Sequence, residues 1–212
     1  MPSRIDTAGN GRSHAVPSLQ TAIKQAVGGV LKVTSNAAVP PLQPGMVLLR
    51  VAAVGLNPTD YKMPANFPTP GATAGCDFAG TVVAVGSEKD NDDDDVMVTG
   101  DPHGIRHTRL QPGDRVFGAV HGSNPADKAQ GAFAEYVLVP ASMVARVPEG
   151  VSWEQAAALG GVGHGTVAQA LWTCMGLPYT PDNPAKGEET FPVLVYGGST
   201  ATGTMAIQLL KL

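Results

Sequence analysis

From Leu19 onward the chain is written in short apolar runs broken by turn residues. The runs are Thr21–Gln25, Val30–Val33, Val47–Val54, Gly80–Val85, Arg115–Val120 and Phe133–Val139. Turn signals such as Gln43-Pro44-Gly45 and Gln111-Pro112-Gly113-Asp114 separate them, because Pro presets φ and Gly reaches turn conformations closed to other residues. Many short strands bounded this way predict a barrel or a partly closed, sandwich-like β domain over residues 18–150. Residues 1–17 are polar without periodicity and predict a flexible leader. Within the β domain, residues 88–108 carry Asp90-Asn91-Asp92-Asp93-Asp94-Asp95; charges this dense repel and solvate, so a surface insertion is expected. These carboxylates with His103 and His107 offer metal donors, but the run lacks the Gly and Glu placement of a calcium loop.

At Val151 the pattern turns helical. Ser152 followed by Gln155 predicts a capping box opening a helix at Trp153–Leu159. A glycine-rich break, Gly160–Gly165, precedes a second predicted capping box, Thr166 with Gln169, opening Val167–Met175. After the Pro-rich loop Pro178–Thr190, Phe191–Tyr196 predicts a buried strand that runs into Gly197–Gly203 and then a helix over Thr204–Leu212. One parallel strand and one helix cannot bury their apolar faces alone. Residues 151–212 are therefore expected to be linking helices plus the first βα unit of an incomplete, C-terminally truncated α/β domain.

Composition narrows the function classes. The 212 residues are 43% hydrophobic and 15% charged, with net charge −4 and no basic stripe, so nucleic acid is not an expected partner. The 26 Gly and 18 Pro favour a turn-rich β domain. Two cysteines, Cys76 and Cys174, form neither a disulfide framework nor a CxxC pair, which suits a reducing compartment. The N-terminus lacks an apolar core of signal-peptide length and no later run approaches a membrane span, so a cytoplasmic protein with no membrane partner is expected.

A buried strand, a glycine turn and a helix N-terminus together make a site for a dinucleotide pyrophosphate. Here the spacing is Gly198-x-x-x-x-Gly203, not a strict GxGxxG, and a tight strand-to-helix turn in any α/β protein is the alternative. The hydroxyls of Ser199, Thr200 and Thr202 can cap the helix and donate to phosphate. Discrimination between NAD and NADP lies after the next strand, which follows Leu212.

Several segments occur in the order of one family. Gly55-Leu56-Asn57-Pro58-Thr59-Asp60-Tyr61-Lys62, Gly75-Cys76-Asp77-Phe78-Ala79-Gly80, Pro112-Gly113-Asp114-Arg115-Val116 and Gly131-Ala132-Phe133-Ala134-Glu135-Tyr136 resemble the medium-chain dehydrogenase/reductase superfamily. Asn57–Pro64 and Tyr196–Thr204 more closely resemble fungal trans-acting enoyl reductases of polyketide synthases. The resemblance implies a mixed fold, a GroES-like β-barrel domain followed by the beginning of a Rossmann α/β domain. In the zinc branch a Cys stands at Asn57 and a His-Glu pair at Cys76-Asp77, and Phe117–Gln130 lacks the four cysteines of the structural zinc lobe. A catalytic zinc needs three N, S or O ligands, so no metal is expected.

What the resemblance implies for activity is an NADPH-dependent enoyl reductase, reducing the α,β-double bond of a polyketide acyl thioester carried by a separate polyketide synthase, expected as a monomer. Lys62 and Thr166 are the catalytic residues it implies; Thr59, Asp60, Tyr61 and Lys62 the barrel-side cofactor positions; Ser199, Thr200, Ala201 and Thr202 the Rossmann-side ones. On the residues alone, Lys62 can equally be a surface lysine packing its stem on the barrel, and Thr166 a helix cap. His164, His121 and Tyr61 are left out of proton transfer. The alternatives are a quinone or alkenal reductase of the same superfamily and an inactive truncated fragment.

Overall fold

The computed structural model describes residues 16–86, 110–181, 183–186 and 191–211. The expected leader up to residue 15 and the acidic insertion at 88–108, with His103 and His107, lie outside the described residues.

Strands β1 (Leu19–Gln25) and β2 (Leu31–Ala38) form an antiparallel ribbon. The main sheet is antiparallel throughout, in the order β6-β3-β4-β5-β7, with β3 at Met46–Gly55, β4 at Asp77–Val85, β5 at Arg115–Ala119, β6 at Tyr136–Pro140 and β7 at Val144–Arg146. Period-two alternation sorts its side chains between faces. Val47 and Leu49 point inward with Phe78, Val82, Val116, Val137 and Val139, whereas Leu48, Ala84 and Leu138 point the other way, toward Val39 and Leu42. Phe78, Leu49 and Val82 are buried. Each such side chain contributes about 1.5–3 kcal/mol of apolar burial.

The third cluster closes one end of the sheet. Helix α2 (Trp153–Leu159) lays Ala156 and Ala157 on Ala53 and Ala79. The approach is close enough that a Cβ on Gly55 would stand 2.5 Å from Ala157 O. Ser152 and Gln155 make the predicted reciprocal cap (Gln155 N to Ser152 Oγ 3.2 Å, Ser152 N to Gln155 Oε1 2.9 Å). Arg115 holds this helix to the sheet: its guanidinium donates to Val151 O at 2.9 Å and lies 4.1 Å from the Trp153 ring centroid.

Some sequence expectations need correction. The predicted run Phe133–Val139 divides between two partners. Ile23 N–H donates to Phe133 O (2.7 Å) and Ala22 bridges Ala134, while only Tyr136–Pro140 pairs with β3. An alternating apolar run cannot show such a change of neighbour. The predicted buried strand Phe191–Tyr196 is irregular and exposed, with Leu194 at 91% and Tyr196 at 99% exposure. A strand exists only through its ladder, and no described strand pairs with this segment. Among the described residues no helix is long and apolar enough to cross a membrane.

Candidate active site

The segment after β3 forms a helix, α1 (Pro58–Asn66), that the apolar pattern did not predict. Its start follows local rules. Pro58 occupies the first helical turn, where no donor is needed, and Asp60 Oδ2 accepts the Asn57 amide at 2.7 Å. Asp60 is thereby turned inward and buried. Burial pushes its carboxyl above the usual range; the Asn57 amide and the Cys76 thiol pull it back, and the Asp77 charge adds to the rise. Thr59 is half-buried, while Tyr61 and Lys62 are exposed on the helix surface.

Cys76 and Asp77 follow at the end of a loop leading into β4. Burial, opposed by a hydrogen bond from the Gly122 backbone, pushes the Cys76 thiol up to about 12. Cys76 is therefore a thiol at any ordinary pH. Asp77, 3% exposed, accepts hydrogen bonds from two other segments of the chain. Its Oδ2 accepts from Asn57 Nδ2 at 2.8 Å, and its Oδ1 accepts from the amides of Gly161 (2.9 Å) and Val162 (3.0 Å). Gly160, with φ 37° and ψ −135°, ends α2 beneath this carboxylate; a Cβ there would be 2.2 Å from Asp77 Cγ.

Those two amides open helix α3 (Val162–Ala168), which corrects the expected Gly160–Gly165 break and the Thr166–Gln169 capping box. Thr166 lies inside α3, its hydroxyl donating back to Val162 O, and Gln169 begins a π-helical continuation, Gln169–Cys174. The cap that starts α3 is Asp77, remote in sequence, so no local pattern announces it. His164 Nδ1 donates to Leu159 O at 2.6 Å, a structural use.

The glycine turn caps helix α4 (Ala201–Leu209), three residues earlier than predicted. Thr200 Oγ1 accepts from Gly203 N at 3.0 Å and donates to Gly197 O at 2.8 Å, and Thr200 O takes Thr204 N at 2.9 Å. The first-turn amides of Ala201 and Thr202 have no intrahelical acceptor. Ser199, Thr200, Ala201 and Thr202 are all exposed. A Cβ on Gly203 would stand 2.2 Å from Gly197 O, so the turn folds this tightly only with glycine there. Exposed amides, a short hydroxyl-bearing turn and a helix N-terminus fit a pyrophosphate. Helix α4 packs on α3, with Met205 Sδ over Gly163.

Asn57, Asp60, Cys76, Asp77 and the start of α3 are therefore brought together. Of the expected positions, Lys62 lies on α1, Thr166 on α3 and Ser199–Thr202 at the start of α4; the cluster joins α1 to α3, and α4 packs on α3. Among the described residues no hydrogen bond joins α1 directly to the 199–202 turn. No group of three His, Cys, Asp or Glu side chains among them is placed to cage a metal ion.

A barrel-type antiparallel sheet closed by a helix, leading through a second helix to a capped glycine turn, defines a GroES-like domain joined to the start of a dinucleotide-binding unit. Residues 43–149 match the alcohol dehydrogenase GroES-like domain, and the chain belongs to that family within the medium-chain dehydrogenase/reductases. Over 200 residues it is 47% identical to the trans-enoyl reductase ffsC of Aspergillus flavipes, covering 94% of this chain and 50% of that protein. An alcohol dehydrogenase superfamily protein from Novosphingobium aromaticivorans is structurally similar, with TM-score 0.68 and 28% identity over 91% of this chain and 50% of that one. The mycobacterial protein Rv1454c, solved in complex with NADPH, aligns with TM-score 0.53 and 26% identity over 76% of this chain and 43% of that one. The chain spans about half the length of the curated relatives it matches.

Proposed function

We propose that this chain forms the barrel and first nucleotide-binding turn of an NADPH-dependent enoyl reductase acting in trans on an α,β-unsaturated acyl thioester carried by a separate polyketide synthase. The observation that carries this is the 47% identity, across 94% of the chain, to a protein named a trans-enoyl reductase. The relative solved with NADPH supports the choice of cofactor.

Bound NADPH would supply the hydride that the β-carbon receives. The chain's own residues do the holding. Amides of Ala201 and Thr202 at the α4 N-terminus, with the Ser199 and Thr202 hydroxyls, would hold the pyrophosphate. Thr59 and Tyr61 would hold the cofactor from the barrel side, and Asp60 would serve it indirectly by capping α1. Lys62, exposed on α1, donates to the thioester oxygen and stabilises the negative charge that builds there as hydride arrives. Thr166 has its proton engaged by Val162 O, so in this state it offers lone pairs to a donor on the acyl carrier arm. To donate, it must rotate off the helix.

The test is NADPH oxidation by the protein with an α,β-unsaturated acyl-pantetheine thioester, alongside a fluorescence titration with NADPH. Turnover that falls about a hundredfold or more in Lys62→Met is expected, the size seen when one oxyanion donor is removed. Turnover with quinones and none with the thioester would instead assign a quinone reductase. Absence of saturable NADPH binding would overturn the assignment altogether.

A further inference from the structure

We propose that Asp77 is a positioning residue: its buried carboxylate ties the first turn of α1 to the first turn of α3, and so fixes the barrel-borne part of the site relative to the α3–α4 part. The inference rests on the proposed function for what is being positioned, but the tie itself stands on geometry.

Three separate stretches of chain meet on this one side chain. The β3–α1 junction arrives through Asn57 Nδ2, the α2–α3 junction through the amides of Gly161 and Val162, and β4 supplies the aspartate. No lysine or arginine among the described residues forms an ion pair with it. A carboxylate only 3% exposed and without a cation would be costly, so its hydrogen bonds are what keep it there. Space around it is closed. Gly55 and Gly160 both flank it, a Cβ on Gly55 coming within 3.0 Å of Asp77 Cβ and one on Gly160 within 2.4 Å of Oδ2. The carboxylate therefore cannot swing to other partners without moving backbone.

What hangs from the two ends gives the tie its consequence. Asn57 is the residue before α1, which carries Thr59, Tyr61 and Lys62. Gly161 and Val162 start α3, which carries Thr166 and packs on α4 beside the Thr200 turn. A cofactor held at both the α1 and the α4 side feels any slack between them. Because Asp77 reaches no further than its neighbours, its effect on catalysis passes through these helices alone.

Three variants separate the tie from general stability. Asp77→Ala removes both ends. Asn57→Ala removes only the α1 end. Asp77→Asn keeps an oxygen for the α3 amides, and Asn57 can turn its own amide to accept from the new Nδ2, so it restores both ends without the charge. Hydrogen–deuterium exchange is read at 58–62, at 161–166 and, as control, in β3 and β4, together with NADPH titration by fluorescence.

In Asp77→Ala, exchange is expected to rise about ten- to a hundredfold in both 58–62 and 161–166 with β3 and β4 unchanged, as for lost hydrogen bonds to a charged group. NADPH affinity is expected to fall at least about tenfold, with Asp77→Asn recovering most of both. Exchange that rises in 161–166 alone, or NADPH affinity unchanged in a folded Asp77→Ala, overturns the proposal. Should Asp77→Ala fail to fold, Asn57→Ala decides: loosening of 58–62 with protected 161–166 and weaker NADPH binding supports it, and no change in 58–62 overturns it. A wild-type chain that binds no NADPH would sink the proposed function, whereas the exchange arms would still judge the tie.

Discussion

Three glycines, one before α2, one at its end and one inside α3, offer a graded test of this architecture, because substitution by alanine asks a different question at each. At Gly160 the backbone sits at φ 37°, and a Cβ would be 2.2 Å from Asp77 Cγ and 2.4 Å from Oδ2. The strained conformation costs about 1–3 kcal/mol for an L residue. The carboxylate must also be displaced from bonds with Asn57, Gly161 and Val162, each worth about 1.5–3 kcal/mol. Loss of two of them brings the total to about 4–9 kcal/mol, a large share of the ~5–15 kcal/mol that holds a domain together. At Gly150 φ is 81° but nothing lies within 4 Å of the built Cβ, so only a backbone cost of about 1–2 kcal/mol applies. At Gly165, inside α3 with open space around it, alanine should stabilise by about 0.5–1 kcal/mol. Urea unfolding with a slope of about 2 kcal/mol/M would place Gly160→Ala about 2 M or more below wild type, Gly150→Ala within about 1 M, and Gly165→Ala slightly above. Equal midpoints for Gly160→Ala and Gly150→Ala would refute the packing of Gly160 under Asp77. A destabilised Gly165→Ala would refute α3 as placed.

Other perturbations probe the same region. Asp60 holds its proton to higher pH when folded than when unfolded, so it favours the fold in acid and this advantage disappears as pH rises through its folded pKa. Asp60→Asn, which can still accept from Asn57 N, should therefore gain stability relative to wild type as pH is raised from the acid side; a pH-independent difference in urea midpoints would contradict this. Cys76, with its thiol near 12, should resist a thiol reagent at pH 8 while exposed Cys174 reacts, so native protein titrates one fast thiol and denatured protein two. The same raised value makes the fold lose stability from about 9.0 upward, toward 12. Ser123 sits at φ 60° with a buried, unpartnered hydroxyl, and Ser123→Gly should raise stability by about 1 kcal/mol; a lowered melting temperature would refute the strain.

What the sequence made legible is what its neighbours in sequence decide. The run Val47–Val54 lies within β3 at Met46–Gly55, and the Ser152–Gln155 cap opens α2 where expected, because alternation and reciprocal capping are short-range signals. The start of α1 was equally local, with Pro58 at the first turn and an acid at Asp60, yet the apolar run masks it: Pro64 sits inside that helix and argues against one. The start of α3 was not legible. Its amides are capped by a carboxylate 84 and 85 residues upstream, so the hydroxyl and glutamine at 166 and 169 supplied a plausible box in the wrong place. The segment 191–196 failed for a related reason, since an apolar run becomes a strand only where another strand offers it a ladder.

Asn57 and Asp77 stand where the zinc branch has a cysteine and a glutamate, and in the fold they are hydrogen-bonded to each other. A metal ion joins chain segments through coordinate bonds; here one carboxylate joins the β3–α1 junction, β4 and the α2–α3 junction through three N–H donors. Both its oxygens are engaged by those donors, so Asp77 is poorly placed to serve as a free general base. Tyr61 and Lys62 are exposed hydrogen-bond donors on α1, and the function proposed above gives Lys62 the substrate oxygen. A lysine on a flexible stem reaches a developing charge only if the helix beneath it is held still. On the proposed function, the carboxylate would act on that ammonium through Asn57, about a turn and a half of helix before Lys62.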